Sequence, residues 1–353
     1  MIKKNNFIFL LLIILISSCS FDNKTGIWSG NEKEKKRISQ LKERQNQIID
    51  VKKIYSTDII YSKEIALSQK INLSDSKKNS SWKMSSLNNQ NFLGNIYLSG
   101  ISNILLKKKI GKNKYSVPIK MASPIIDNNN IILSDDTGSI FNISSSGEII
   151  WKKNIYKKIY KKIYKNLNFS IHKSTIYIAD NIGFIYAISK NTGDLVWIKN
   201  HGVPLKSNIK ISNNKIFLIN QDNRILSLSA IDGSKIWDIR STKSFIKTQD
   251  FLSLAVTKQN DVIVINSSGD LLKIRGEDGQ IYWSLNTLTS ILVDATDFFE
   301  SSEVVIDNEN IIFSNGSSFF SHNLDTGIMN WEQPINSVST PIISKNNIFF
   351  VTE

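Results

Sequence analysis

The sequence is poor in the residues that most catalytic centres use. One cysteine, Cys19, is present among 353 residues, so no disulfide can form within the chain. Three histidines, His172, His201 and His322, share no local motif, and each is predicted to be a loop or surface residue. No acidic and amide cluster stands at metal-ligand spacing, and neither a Gly-x-Ser-x-Gly elbow nor a phosphate-binding loop occurs. We therefore predict no catalytic residue, no metal and no cofactor.

The chain also lacks a long hydrophobic run. The apolar stretch Phe7–Ile16 is too short for a transmembrane helix but suits the core of a signal peptide, with Lys3-Lys4 before it. Ile16-Ser17-Ser18-Cys19 then resembles a bacterial lipobox, which implies cleavage before Cys19 and lipidation of its thiol. Several acyl chains on one residue give stable membrane anchoring. The alternative is a plain secretory signal with an incidental cysteine.

Positive charge is in excess. Lys and Arg number 44 against 31 Asp and Glu, which gives a formal net charge of +13. Such a balance suits a nucleic acid, an anionic membrane or an acidic partner. Because the lysines are spread through turns and strand ends, and because the leader predicts export, we interpret them as a solvated basic surface. No nucleic acid is expected.

One short pattern recurs five times and organises the chain. A glycine stands four residues before a tryptophan in each unit: Gly147 and Trp151, Gly193 and Trp197, Gly233 and Trp237, Gly279 and Trp283, and Gly327 and Trp331. The tryptophans are 46, 40, 46 and 48 residues apart. A period in the forties with one tryptophan per unit is typical of a β-propeller with four strands per blade. The alternative is an all-β sandwich with chance tryptophan spacing.

The stretch Gly183–Trp197 shows how a unit is built. Residues 184–189 alternate as a strand does, Asn191-Thr192-Gly193 suits a tight turn, and a second short strand ends at Trp197. A four-stranded unit cannot bury both of its faces alone. Each unit must therefore stack on its neighbours, with the tryptophan filling space between adjacent sheets. The predicted fold is all-β, a β-propeller.

Three regions follow from these patterns. Residues 1–18 are predicted to be a lipoprotein signal, 19–80 the lipidated cysteine with a charged and polar tether, and 81–353 the propeller. Trp82 opens the last region in a segment without the Gly-x-x-x-Trp ending, and we expect this segment to pair with the last blade. The stretch 152–165 repeats Ile-Tyr-Lys-Lys and is predicted to be an exposed loop between blades, or else a contact to anionic lipid or an acidic partner.

The end of the sequence affects the blade count. Thr340–Glu353 supplies two strands of a sixth blade. A ring open there would expose a hydrophobic edge. If the intact ring has eight blades, we expect the chain to be truncated after about five and a half of them.

The lipobox, the tether, the Trp82-x8-Asn91 segment and the blades together resemble the BamB family, lipoprotein subunits of the outer-membrane β-barrel assembly machinery. The blade repeat, as in Asp180–Trp197, resembles the pyrroloquinoline-quinone type. The resemblance implies an eight-bladed, non-enzymatic scaffold facing the periplasm. It would dock on the barrel insertase beside other assembly lipoproteins. Ser20 after Cys19 favours the outer membrane in lipoproteins that this leader resembles.

The resemblance also implies partner-binding residues. In the family, a loop with Leu followed by a basic residue contacts the insertase, as does an acidic loop one blade later. Pro204-Leu205-Lys206 and Gln249-Asp250 occupy the matching places, so Leu205, Lys206 and Asp250 are candidates. Lys206 replaces the usual Arg, which would turn a bidentate contact into a point charge. Alternatively, all three are ordinary loop residues.

An enzyme of the same repeat type is the second hypothesis. Quinone-dependent alcohol dehydrogenases share a similar propeller, but they need a metal-binding carboxylate and amide cluster and typically a vicinal disulfide. With Cys19 as its one cysteine, this sequence departs from that pattern. An active site formed by loops that converge on the ring axis would leave no local motif, so a periplasmic dehydrogenase stays as the alternative.

Overall fold

The structure is a computed structural model that describes residues 36, 39, 40, 43, 70–99, 104, 106–115, 123–241, 252–288, 300–335 and 337–352. Two compact units are present, Met1–Lys70 and Ile71–Glu353, and every described strand belongs to the second. Cys19, the predicted signal segment and Asp250 lie outside the described residues. The folded unit includes residues 71–80, which the sequence assigned to the tether.

Five antiparallel sheets of four strands follow one another along the chain. Blade 1 contains β1 Ile125–Asp127, β2 Asn130–Ser134, β3 Ile140–Ser144 and β4 Ile149–Lys153. Blade 2 contains β5 Leu167–His172, β6 Thr175–Asp180, β7 Phe184–Ser189 and β8 Leu195–Asn200. Blade 3 contains β9 Lys210–Ser212, β10 Lys215–Ile219, β11 Arg224–Ser229 and β12 Lys235–Arg240.

The pattern continues to the end of the described chain. Blade 4 contains β13 Ser253–Val256, β14 Val262–Ile265, β15 Asp270–Ile274 and β16 Ile281–Asn286. Blade 5 contains β17 Val305–Asp307, β18 Asn310–Ser314, β19 Phe319–Asn323 and β20 Met329–Gln333. A last sheet pairs β21 Ile342–Ser344 with β22 Asn347–Phe349. Strand order follows chain order in every blade, and the first strands of blades 1 to 4 contact one another in sequence, so the predicted β-propeller is confirmed.

The hydrophobic core lies between sheets rather than within one. Ile132 of blade 1 packs with Phe169 and Ile176 of blade 2, and Phe217 of blade 3 packs with Leu254 and Val264 of blade 4. The sheets thus bury their faces by stacking on neighbouring sheets, which is why the middle strands are almost continuously apolar.

The Gly-x-x-x-Trp unit builds the outer contact between blades. A Cβ atom placed on the glycine of one blade would meet the tryptophan of the preceding blade, 2.8 Å away at Gly193 and Trp151, 2.6 Å at Gly233 and Trp197, 3.0 Å at Gly279 and Trp237, and 2.9 Å at Gly327 and Trp283. All of these glycines have positive φ. The indole therefore lies directly against a turn that only glycine leaves open.

A register shift precedes each of these tryptophans. In blade 2, Ala187 pairs with Trp197 while Ile188 pairs with Leu195, so Val196 is an extra residue on the fourth strand. The other four blades show the same shift. A bulge at this point turns the strand and re-aims the residue after it, which here is the tryptophan.

The segment 82–92 crosses the first strands of five blades, which corrects the expectation that it pairs with the last blade. Trp82 exchanges hydrogen bonds with Ile126 of blade 1, and Lys83 accepts one from Ile171 of blade 2. Asn89 donates to Ile211 of blade 3 and accepts from blade 4, while Gln90 accepts from blade 5. The earlier residues do reach the last sheet, since Ser74 N–H donates to Ser344 Oγ at 2.9 Å.

The stretch 152–165 is not simply an exposed loop, as the sequence suggested. Residues 152–153 complete β4, and a 3₁₀ helix follows at Lys158–Lys162. Tyr156 is buried in the cluster between blades 1 and 2, and the Lys165 side chain is also buried. The stretch is therefore anchored on one side and exposed on the other.

Candidate docking segment and the polar cluster beside it

The segment 203–207 connects three blades. Leu205 N–H donates to Asp180 O of blade 2 at 3.3 Å, and Lys206 N–H donates to Ile219 O of blade 3 at 2.9 Å. Lys206 O accepts from Leu252 N–H, next to blade 4, at 2.8 Å. Main-chain bonds on both sides of residue 206 fix the direction in which its side chain leaves the backbone.

Leu205 is a core residue. Its side chain is 2% exposed and packs with Tyr177 of blade 2 and with Ile209 and Leu218 of blade 3. This burial does not fit a direct contact with a partner, because almost no Leu205 surface reaches solvent. The side chain instead holds the segment down, and the neighbouring Lys206 is half-buried. Asp250, the third candidate, lies outside the described residues, so the structure does not bring the three together.

A polar cluster next to this segment carries no motif in the sequence. Glu303, before β17, accepts from Asn208 Nδ2 at 2.7 Å and from Ser86 Oγ, and Thr340 Oγ1 donates to it at 3.4 Å. The cluster thus joins the crossing segment 82–92 with blades 3 and 5. Its members are far apart along the chain, and only the ring arrangement brings them together.

Lys210 is the most deeply buried cation of this region. Its amine donates to Ser85 O at 3.1 Å and Asn88 O at 2.7 Å, and its side chain is 0% exposed. Burial lowers the pKa of Lys210 to about 8, against the opposing charge of Glu303. Both hydrogen bonds of the Lys210 amine go to main-chain carbonyls of the segment 82–92. Lys210 therefore holds that segment in place and has no open side on which to act on a substrate.

The histidines form no site. His322 lies on β19 and is buried, and its Nδ1 donates to Gly327 O at 2.9 Å, so the prediction of a surface or loop position is wrong for this residue. Burial lowers the pKa of the His322 imidazole. In the part of the chain that the structure describes, no group of three acidic, histidine or cysteine side chains could hold a metal ion. Nor is any described helix both long and apolar enough to cross a bilayer.

Known proteins resemble this chain in sequence and in fold. The chain is 23% identical over 177 residues to the outer membrane protein assembly factor BamB of Yersinia pestis, covering 47% of this chain and 43% of that protein. It is 23% identical over 190 residues to BamB of Moranella endobia (strain PCIT), covering 51% and 45%. The matched part spans less than half the length of these curated relatives.

A solved structure shares the fold alone. The quinohemoprotein alcohol dehydrogenase from Comamonas testosteroni superposes with a TM-score of 0.56 and 12% identity, over 72% of this chain and 49% of that one. A family model described as "Outer membrane protein assembly factor BamB" matches residues 136–353. Because that match covers more than half of the sequence, the chain belongs to the BamB family of outer membrane protein assembly factors.

Proposed function

We propose that this protein is a non-enzymatic scaffold in the assembly of outer-membrane β-barrel proteins, with Lys206 and Asp250 as contacts to the barrel insertase. The observation that carries the proposal is the segment 203–207, which main-chain hydrogen bonds tie to three blades. A loop fixed in this way presents a cation at a constant place without chemistry of its own. Leu205 positions the segment from below.

The same geometry supports a scaffold over a dehydrogenase. Residues 82–92 occupy the space beside the first strands, and Lys210 and Glu303 use their polar atoms to hold them there. A cofactor on that side of the blades would have to displace the chain's own backbone. The protein would act at the periplasmic face of the outer membrane, anchored through Cys19 and accompanied by other assembly lipoproteins.

The test is affinity purification of the full-length, membrane-extracted protein in mild detergent, with mass spectrometry of the proteins recovered. We expect the barrel insertase and other assembly lipoproteins to be recovered. Lys206→Glu should lower recovery of the insertase by roughly tenfold or more, as for a charge reversed in an interface. Lys199→Glu, an exposed lysine on β8, is the matched control and should leave recovery unchanged.

Leu205→Glu is unsuitable as a docking test, because a carboxylate in the cluster between blades 2 and 3 should unfold that region. Recovery of the protein alone, in mild detergent and low salt, would overturn the proposal. Stoichiometric uptake of quinone with alcohol-dependent dye reduction by the purified protein would then establish the dehydrogenase alternative.

A further inference from the structure

The stretch 157–163, here called the basic loop, forms a surface that the docking segment does not use. Lys157, Lys158, Lys161 and Lys162 are exposed, and no described acidic side chain forms an ion pair with any of them. Ile159 and Ile163 lie between these lysines and are 75% and 45% exposed. Two large branched side chains in water, framed by four cations, are costly unless something covers them.

The basic loop is held by tyrosines that recur every four residues. Tyr156 donates its hydroxyl to Asp180 Oδ2 at 2.6 Å, and the Tyr160 ring meets Phe184 edge-on with centroids 5.3 Å apart. Tyr164 meets Tyr115 edge-on at 6.1 Å. Because these three side chains face the protein, the Lys-Lys-Ile residues between them face away.

Lys165 fixes the loop from within. Its amine donates to Tyr160 O and to Ile163 O, and it lies 4.8 Å from the centre of the Tyr156 ring. The buried Lys165 thus satisfies carbonyls that end the 3₁₀ helix, which water would otherwise have to reach. The outward surface is preformed and does not need to be ordered on binding.

A second segment adds positive charge at the same place. Tyr115 donates its hydroxyl to Lys161 O at 3.2 Å, which brings exposed Lys112 and Lys114 beside the loop. The nearby acidic residue Asp136 is buried, and it accepts from the main-chain N–H groups of Lys114 and Tyr115. The neighbouring carboxylate therefore faces inward, and the outward surface is positive.

We propose that the basic loop with Lys112 and Lys114 lies on an anionic phospholipid surface. Lysines bind the headgroups, and Ile159 and Ile163 enter the boundary between headgroups and acyl chains. The exposed isoleucines favour a lipid surface over an acidic protein partner, because a purely electrostatic contact with an acidic protein would leave both isoleucines in water. The proposal is independent of insertase docking, because Lys206 belongs to the segment between blades 2 and 3.

The test is co-sedimentation with vesicles of the mature chain from Ser20 onward, made without the predicted leader and without Cys19, so that neither the apolar leader nor an acyl anchor can bind lipid. Vesicles of phosphatidylglycerol and phosphatidylcholine should bind the protein, and vesicles of phosphatidylcholine alone should not. Replacing Lys157, Lys158, Lys161 and Lys162 by Gln should weaken binding on the order of 1,000-fold. The control replaces four exposed lysines elsewhere by Gln, namely Lys173, Lys199, Lys258 and Lys345, with the same change in net charge.

An equal loss in both quadruple variants would overturn the proposal, because binding would then follow net charge and not the loop. Ile159→Ser separates lipid from an acidic protein partner. We expect it to weaken vesicle binding about tenfold while binding to poly-glutamate stays unchanged. Loop-dependent binding to poly-glutamate without vesicle binding would contradict a lipid surface.

Discussion

The blades are joined in two different ways, at their outer and their inner strands. At the outer side one contact is repeated four times, a tryptophan of one blade against the turn glycine of the next. At the inner side the segment 82–92 meets each blade differently, through Trp82, Lys83, Asn89 and Asn91 in turn. A repeated contact leaves a period in the sequence, whereas a contact made once leaves none.

An intermediate case shows what the outer contact requires. Among the described residues no blade precedes Gly147 of blade 1, yet a Cβ on this glycine would lie 2.8 Å from Leu106 and 3.2 Å from Lys108. Trp151 and Lys153 hold the same positions at Gly193. The segment 106–108 thus takes the place of a fourth strand, with leucine where the repeat has tryptophan. An apolar side chain therefore packs against the glycine turn in each case, and this side chain can be a leucine as well as a tryptophan.

The largest loss of stability is expected when a Cβ atom is added at one of the turn glycines of the outer contact. In Gly233→Ala the new Cβ would lie 2.6 Å from the Trp197 ring, which cannot move within a packed interface, so we expect a loss of about 4 kcal/mol of unfolding free energy. Gly202→Ala is the matched control, with the same φ of +71 and no atom within 4 Å, and should lose about 1 kcal/mol. Urea unfolding measures both. Equal losses would mean that φ and not the tryptophan makes these glycines necessary.

The inner contact should be nearly as sensitive at one residue. Asn91 is buried at a φ of 56, and its Nδ2 donates to Val304 O at 2.8 Å and Leu254 O at 3.2 Å. Asn91→Ala should cost about 3 kcal/mol from two lost hydrogen bonds and the backbone conformation. Asn213→Ala, exposed at a φ of 48, tests the conformation alone and should cost about 1 kcal/mol. A small loss at Asn91 would show that the segment 82–92 lies loosely on the blades.

A pH dependence distinguishes the inner contact from the outer one. The pKa of Lys210 is about 8 in the folded protein against 10.5 as its ordinary value, so between these pH values the unfolded chain binds more protons and stability rises with pH. From pH 7.5 to 9.5 the gain should be about 2 kcal/mol relative to Lys210→Met. Urea unfolding across that range measures it. A difference that stays constant would mean that Lys210 is not desolvated.

The smallest change in stability is expected from the indole hydrogen bond, which is present at one tryptophan of the outer contact and absent at another. Trp151 Nε1 donates to Lys190 O at 2.9 Å, whereas the buried Trp283 Nε1 has no partner among the described residues. Trp151→Phe should therefore destabilise the protein by about 1 kcal/mol more than Trp283→Phe. Thermal unfolding of the two single variants measures the difference. The reverse order would show that indole packing outweighs the hydrogen bond.

The five repeats predicted the four-stranded blades, and together with the lipobox, the tether and the Trp82 segment they resembled the BamB family; the structure confirms the blades and the family match confirms the family. Two other predictions differ from the structure for one reason. The pairing of the Trp82 segment with the last blade is wrong, and the exposed loop at 152–165 is correct only for its outward side, since Tyr156 and Lys165 are buried. In both, burial is decided by residues far away in sequence, such as Ile126 for Trp82 and Asp180 for Tyr156. A contact that occurs once, between two residues that are distant in sequence, produces no repeat in the sequence, so it cannot be predicted from the repeat.

The repeating part of this protein can be derived from the amino-acid sequence, because a sheet that must stack on similar neighbours needs the same glycine turn and the same apolar side chain against it each time. The segment that lies across the first strands, and the loop residues that reach solvent, are apparent only in the folded protein. Leu205 and Lys206 are neighbouring candidates in the sequence, and Leu205 is a core residue whereas Lys206 is half-buried. That distinction depends on which neighbouring blade covers each side chain, and packing between distant segments sets it.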